Sequence, residues 1–231
     1  MTPRVRRRAA VGTVLIVART PVPGRSKTRL AASVGAGAAA DIAAAALLDT
    51  IDAARAGAED VVVALTGGLE GAARRDELDS SLSGVTVIDQ RGRGLGERLA
   101  IAHADTHARR NGDGGAVFQI GMDTPQVTPA LLGAALAAAG SHDAVLGPAS
   151  DGGWWGLAVA DPRTVVRLSG VAMSTPETGA LTRAALESAG AAVHPLRVLR
   201  DVDEWADALA VARQAPDGRF AAAVTERVGS P

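Results

Sequence analysis

Lys27, Thr28 and Arg29 follow a stretch in which Pro21, Pro23 and Gly24 hold the chain to a fixed path. With Arg19 and Arg25 they bring cations and hydroxyls to a point where a helix pattern begins. Backbone N–H groups at a helix start favour anions, and Lys and Arg add charge-assisted hydrogen bonds. The segment reads as a phosphate cradle, although the G-x-x-x-x-G-K-[ST] spacing of a P-loop is absent. Farther along, Asp123 stands in Gly121-Met122-Asp123-Thr124-Pro125, at the end of an apolar run. A carboxylate there is a hard oxygen ligand for Mg²⁺ or Mn²⁺, the cations that bridge phosphates. Thr128, followed by Pro129, is the better candidate to cap the next helix, which leaves Asp123 free for that role. Asp151, Gly152 and Gly153 form a turn signal before Trp154 and Trp155. If these tryptophans are on a strand, only one of the two can face a ligand. Asp201 and Asp203 flank Val202 just before a last helix pattern; one is expected to cap that helix and the other to bind metal.

A Gly-rich stretch, Gln90–Arg98, opens another helix pattern. It lacks the G-x-G-x-x-G spacing of a dinucleotide site. Gly96 would let backbone approach a ligand, with Arg98 beside it. His103 and His107 are four apart on the same helix, without a third ligand, and are expected on the surface. No Ser-His-Asp arrangement or G-x-S-x-G elbow is present.

The elements that must position these residues follow from periodicity. Short apolar runs at Thr13–Ala18, Asp60–Leu65, Val85–Asp89, Ala116–Gly121, Asp143–Gly147, Trp154–Val159 and Ala192–Val198 read as strands buried on both faces. Helix patterns lie between them, at Ala38–Ala56, Leu69–Leu82, Leu95–Arg110, Thr128–Ala139, Thr175–Ala189 and Glu204–Gln214. The alternation predicts a single α/β domain over 13–215, with a mostly parallel sheet and helices on both faces. Ligands of such sheets sit beyond the carboxyl ends of the strands, where the residues above fall. Residues 1–12 are expected as a flexible basic tail carrying Arg4, Arg6, Arg7 and Arg8, and 216–231 as a C-terminal tail.

Composition narrows the function classes. The chain has 231 residues, 47% apolar, with a formal net charge of −1. A balanced chain has no global field to attract nucleic acid, so no nucleic-acid partner is expected. The absence of cysteine excludes disulfides and thiolate catalysis. No stretch is apolar enough to span a bilayer, and a cytoplasmic location is expected by default. The sequence does not give the oligomeric state.

The ordered set P-V-P-G-R-x-K-T-R-L, L-G-E-R, G-x-D-x-P, G-P-A-x-D-G-G and D-V-D runs from about Val14 to Ala212. Together these blocks resemble the bacterial rSAM/selenodomain-associated transferases, a family of GT-A-like glycosyltransferases. They are also similar to 2-phospholactate and phosphoenolpyruvate guanylyltransferases, which share the K-T-R-L loop and the D-V-D end. The resemblance implies a GT-A fold, the architecture of nucleotide-diphospho-sugar transferases. It implies phosphate contacts from Lys27, Thr28 and Arg29, and metal ligation by Asp123 and Asp201. The expected nucleotide-binding set is Arg19, Pro23, Gly24, Lys27, Thr28, Arg29, Gly96, Arg98, Gly152 and Gly153; the expected catalytic set is Lys27, Arg29, Asp123 and Asp151; Asp123, Asp201 and Asp203 are the metal candidates. The expected activity is glycosyl transfer from a nucleotide-sugar to a small-molecule acceptor with Mg²⁺ or Mn²⁺. The alternatives are guanylyl or cytidylyl transfer from an NTP to a small phosphorylated acceptor, and a non-catalytic nucleotide-binding protein. The chain departs from the family where Trp154 and Trp155 replace tyrosines and where Met173 replaces the Trp of W-S-T-P, both changes near an acceptor.

Overall fold

A computed structural model of the chain describes residues 10–110 and 115–228. The basic cluster Arg4–Arg8 and the terminal Gly229–Pro231 lie outside the described residues. Among the described residues, seven strands form one sheet: β1 (Ala10–Arg19), β2 (Ala58–Thr66), β3 (Thr86–Asp89), β4 (Ala116–Gly121), β5 (Ala144–Pro148), β6 (Trp154–Val159) and β7 (Val193–Pro195). Their order is β3-β2-β1-β4-β6-β5-β7. Every pairing is parallel except those of β6, which runs antiparallel to both β4 and β5. The reason is local. Only the turn 149–153 joins β5 to β6, and a parallel return needs a crossover of a dozen or more residues.

The helices are α1 (Thr28–Val34), α2 (Ala36–Gly57), α3 (Arg75–Leu82), α4 (Leu95–Arg109), α5 (Pro129–Ala139), α6 (Thr178–Ser188), α7 (Trp205–Gln214) and α8 (Arg219–Val228), with a 3₁₀ segment over Pro162–Gly170. They cover both faces of the sheet, as the sequence predicts. Alternate residues of β1 sort between two cores. Val14, Ile16 and Ala18 pack with Leu47 and Ile51 of α2 and Leu132 and Leu136 of α5. Leu15 packs with Val62, Val117 and Ala102 of α4 on the other face. With so few aromatics, alanines of α2 carry much of the interface: Ala43, Ala44 and Ala54 are buried, which brings this long helix close to the strands. None of the helices is long and apolar enough to cross a membrane among the described residues.

Several boundaries differ from expectation. α3 starts only at Arg75, because Arg74 adopts a left-handed φ of 49° while its guanidinium holds Asp41 in a two-point pair at 2.8 and 3.1 Å. β7 is short, although the segment after it stays along β5: Leu196 N–H donates to the Leu146 carbonyl at 2.9 Å, Leu199 N–H donates to the Pro148 carbonyl at 3.1 Å, and Leu199 forms a parallel bridge with Ala149. In the segment expected to trail from the domain, α8 buries Phe220, Ala223 and Val224 against Ile42 and Ala46 of α2 and Val211 of α7. Thr128 caps α5 as read from the sequence, its Oγ1 accepting from the Leu131 N–H at 3.2 Å, with Pro129 at the first helical position.

His103 corrects the reading that placed it on the surface. It shares the inward face of α4 with Leu99, Ala102 and Thr106, and it is fully buried. Burial pushes its imidazole down to about 4, partly offset by the Gln119 amide, with His107 lowering it further. The unfolded chain therefore takes up this proton near pH 6.5 while the folded chain resists it until about pH 4. Stability from this group is intact above pH 6.5 and falls as the pH drops towards 4, by on the order of 3 kcal/mol. Urea titrations between pH 7 and pH 4 check this. The His103→Leu variant should lose less stability over that window than the wild type, and equal losses would count against it.

Candidate active site

Beyond the carboxyl ends of β1 and β4, the chain ends its strands in short ties that bring separate loops together. Thr20 Oγ1 donates to the Gly67 carbonyl at 2.9 Å, and Arg25 N–H donates to the Val22 carbonyl at 3.0 Å. The loop then enters α1 through Lys27, which adopts a left-handed φ of 51°. A non-glycine residue in that region is held there by its surroundings at a cost of about 1–2 kcal/mol. The surroundings are visible: Lys27 Nζ reaches across the strand ends to the Val202 carbonyl at 2.5 Å and to Asp123 Oδ1 at 2.8 Å, with Asp203 Oδ1 at 3.9 Å.

The Asp201–Asp203 segment is fixed from three sides. Val202 N–H donates to the Asp123 carbonyl at 2.8 Å, Gln126 Nε2 donates to the Arg200 carbonyl at 2.5 Å, and Ser150 N–H donates to the Leu199 carbonyl at 2.8 Å. Neither Asp201 nor Asp203 caps α7, contrary to expectation. The cap falls to Glu204 and Asp207, whose carboxylate accepts from the N–H groups of Glu204 at 3.0 Å and Asp203 at 3.3 Å. Both aspartates are therefore available to the cleft. Asp203 meets Arg29 Nη1 at 2.5 Å.

These groups open onto a cleft of about 740 Å³. Arg19, Lys27, Thr28 and Arg29 line it, as do Asp123, Asp151, Gly153, Asp201 and Asp203. The cleft is strongly polar at this end. Burial, with the nearby charges of Asp151 and Asp123, pushes the Asp201 carboxyl up to about 6, and Lys27 opposes the shift. Carboxylates that crowd one another in this way attract a cation. Among the described residues no three acidic or histidine side chains form a ready-made metal cage. A cation that arrives with its own phosphates would need only one or two protein carboxylates.

Other expected residues lie elsewhere. Pro23, Gly24, Gly96, Arg98 and Gly152 are not on the cleft wall. Gly96 is buried, and a Cβ there would come within 2.2 Å of the Leu168 carbonyl, so its smallness lets the 3₁₀ segment pack on α4. Gly152 has φ +90° and sits against the Pro176 carbonyl, which a Cβ would meet at 1.9 Å. It locks the β5–β6 turn to the loop before α6. In the Gly-rich stretch, Arg91 is tied to Asp105 at 2.6 Å and Gln90 Nε2 donates to the carbonyls of Ala18 and Ala64.

The wall also contains residues outside the expected set. Arg25 and Ser26 extend the cationic loop, and Ser174, at φ 61°, lies with Thr175 across from it. Trp154 faces the cleft, while Trp155 is buried, stacks edge-on against Phe118 and donates Nε1–H to the Arg197 carbonyl at 2.9 Å. Gln119 lines the inner wall. A lone amide in the apolar run Ala116–Gly121 was the sequence signal for it.

Residues 47–175 match the family described as "Uncharacterized protein conserved in bacteria (DUF2064)". Among solved structures, the chain is similar to one provisionally named a nucleotide-diphospho-sugar transferase, from Desulfovibrio desulfuricans G20. Identity is 25%, 95% of each chain is covered, and the TM-score is 0.78. It shares its fold with Rv0371c of Mycobacterium tuberculosis H37Rv in complex with manganese, at 18% identity over 87% of this chain and 98% of that one, TM-score 0.50. It also shares its fold with CMP:2-keto-3-deoxy-manno-octonic acid synthetase complexed with CTP, at 13% identity over 90% of this chain and 100% of that one, TM-score 0.52. A comparison with curated protein sequences finds no match.

Proposed function

The chain belongs to the DUF2064 family, and from that premise we propose that it is a transferase acting on a nucleotide-activated substrate, with glycosyl transfer from a nucleotide-sugar as its reaction. The observation that carries this reading is the convergence of Lys27, Arg29, Asp123, Asp151, Asp201 and Asp203 on one cleft at the strand ends. The provisional name of the Desulfovibrio protein supports the same donor class.

In this reading Asp123, with Asp201 or Asp203, holds a divalent cation, Mn²⁺ or Mg²⁺, brought in on the diphosphate. The manganese in the Rv0371c complex supports the choice of metal class. The cation supplies charge neutralisation at the leaving phosphates. Lys27 and Arg29 share that load from the other side. Lys27 holds its ammonium among the carboxylates, so phosphate oxygens meet a cation already in place. Arg29 is largely exposed and can turn from Asp203 to a phosphate. The walls orient the acceptor for in-line attack, and orientation is the protein's main contribution to such a step.

One observation favours a second reading. Arg19, Arg25, Lys27 and Arg29 place four cations on the wall, which suits a triphosphate and hence nucleotidyl transfer of the guanylyl or cytidylyl type. Product analysis separates the two. With Mn²⁺ and a nucleotide-sugar, slow donor hydrolysis should release a nucleoside diphosphate. Release of pyrophosphate from an NTP in the presence of small phosphorylated acceptors would transfer the assignment to the second reading. Neither product from a folded sample would sink both.

A further inference from the structure

The cleft has two chemically distinct ends. The end described above is charged. The other is walled by Val17 of β1, Leu95 and Leu99 of α4, Trp154 of β6 and Met173. Leu99 belongs to an apolar cluster against which Val17, Trp154 and Met173 pack, so this wall is continuous rather than a set of scattered side chains. No ionisable group is among these five residues. The packing of Gly96 against Leu168 and Met173 holds the far wall close, with the Met173 methyl 3.2 Å from where a Gly96 Cβ would stand.

Gln119 is set into the floor of this apolar end. It is fully buried between Leu15 of β1 and Leu157 of β6, which flank it in the sheet. Neither its Oε1 nor its Nε2 completes a hydrogen bond of normal geometry in the protein. The His103 imidazole lies close behind it and is likewise without a well-formed hydrogen bond. At most one face of the amide is engaged there, and the amide offers two donors and an acceptor with two lone pairs. A buried amide with an unpaired edge is costly, and native proteins retain such a group where a ligand or a water completes it.

We infer that the apolar end of the cleft is the acceptor subsite, and that it takes a compact, uncharged, largely apolar molecule whose amide, lactam or hydroxyl edge pairs with Gln119. This rests on the transferase reading for the word acceptor, and the binding chemistry rests on the wall itself. A charged molecule would have to shed its water among Leu95, Leu99, Val17 and Met173 with no counter-charge to meet it. A polyol would leave several of its hydroxyls against Val17, Leu95, Leu99 and Met173, which offer no hydrogen-bonding side chain. A flat or ring-shaped skeleton would lie on the Trp154 indole, and its polar edge would reach the amide floor. The proximity of the charged end then places a hydroxyl on the outward side of the same molecule near the sugar donor.

The test uses 2-piperidone and cyclohexanol as neutral probes, with benzoate and methyl α-glucoside as charged and polyol counterparts. Binding is read by saturation-transfer NMR and by quenching of tryptophan fluorescence. The two neutral probes should bind, and benzoate and the glucoside should bind at least tenfold more weakly. Gln119→Leu should weaken 2-piperidone at least tenfold while leaving nucleotide-induced stabilisation unchanged. Should Gln119→Leu fail to fold, Trp154→Ala, at a partly exposed wall position, should also lose the neutral probes. Preference for the glucoside, or 2-piperidone affinity unchanged in a folded Gln119→Leu, overturns the subsite. A wild type that nucleotides stabilise but that shows no Gln119-dependent probe binding loses the subsite alone. A wild type that no nucleotide stabilises loses the transferase reading, and with it the role of acceptor.

Discussion

Asp123→Asn is expected to keep the fold and to lower transfer activity by roughly a hundredfold or more, in line with the loss of one preorganised electrostatic group at a reacting centre. The substitution is nearly isosteric. The backbone tie that organises the site, Val202 N–H to the Asp123 carbonyl, does not involve the side chain and survives. What is lost is the charge that faces Lys27 at 2.8 Å and that would hold the cation. Because that pair is partly solvated on the Asp123 side, its removal should cost the fold only about 1 kcal/mol or less. Circular dichroism, Mn²⁺ titration and turnover on one sample check the three parts. Wild-type turnover with wild-type Mn²⁺ affinity would show that Asp123 serves the structure alone.

The second large effect concerns the cation on the opposite side. Lys27→Ala should weaken nucleotide binding about ten- to a hundredfold, the equivalent of one charge-assisted hydrogen bond of roughly 1.5–3 kcal/mol. The ammonium is mostly shielded from solvent, so its charge acts at short range. Backbone strain does not confuse the comparison, since Ala and Lys both carry a Cβ into the left-handed region. Arg7→Ala, in the basic N-terminal cluster of the sequence, is the control for diffuse attraction, which physiological salt screens beyond about 10 Å. Calorimetric titration of the tightest nucleotide against both variants decides. Equal losses would mean that the loop attracts anions without forming a specific phosphate site.

Much of the scaffold was legible because its punctuation is chemical. Pro21, Pro23 and Gly24 mark the end of β1; Asp123 and Pro125 mark the end of β4; Asp151 and Gly152 mark the β5–β6 turn. Strand ends read this way put Lys27, Asp123, Asp151, Asp201 and Asp203 at the same edge of a sheet, and the structure brings them to one cleft. The direction of β6 was available from the shortness of that turn but is masked by the βαβα rhythm around it. Gly96 and Gly152 looked like ligand-binding glycines. Their smallness is used against Leu168 and Pro176 instead, contacts between segments far apart in sequence that no local pattern reveals. His103 was misplaced for a related reason: its spacing from Leu99 and Thr106 matches the buried face of α4, and residue type outweighed position. The cap of α7 shows the limit of counting carboxylates, because Asp201, Asp203, Glu204 and Asp207 all stand near one helix start and only backbone geometry chooses among them.

The central claim is that a nucleotide and a divalent cation bind together in the Lys27–Asp123 cleft. Its most direct test is thermal unfolding of the wild type, Lys27→Ala and Asp123→Asn against nucleoside triphosphates and nucleotide-sugars, with and without Mn²⁺. A ligand at about a hundred times its Kd adds about 2.7 kcal/mol of stability, or roughly 5–10 °C in Tm for a chain of this size. The account predicts a shift of that order for at least one nucleotide, dependent on Mn²⁺ and strongly reduced in both variants. No shift with any nucleotide, or a full shift retained in Asp123→Asn and Lys27→Ala, would contradict it.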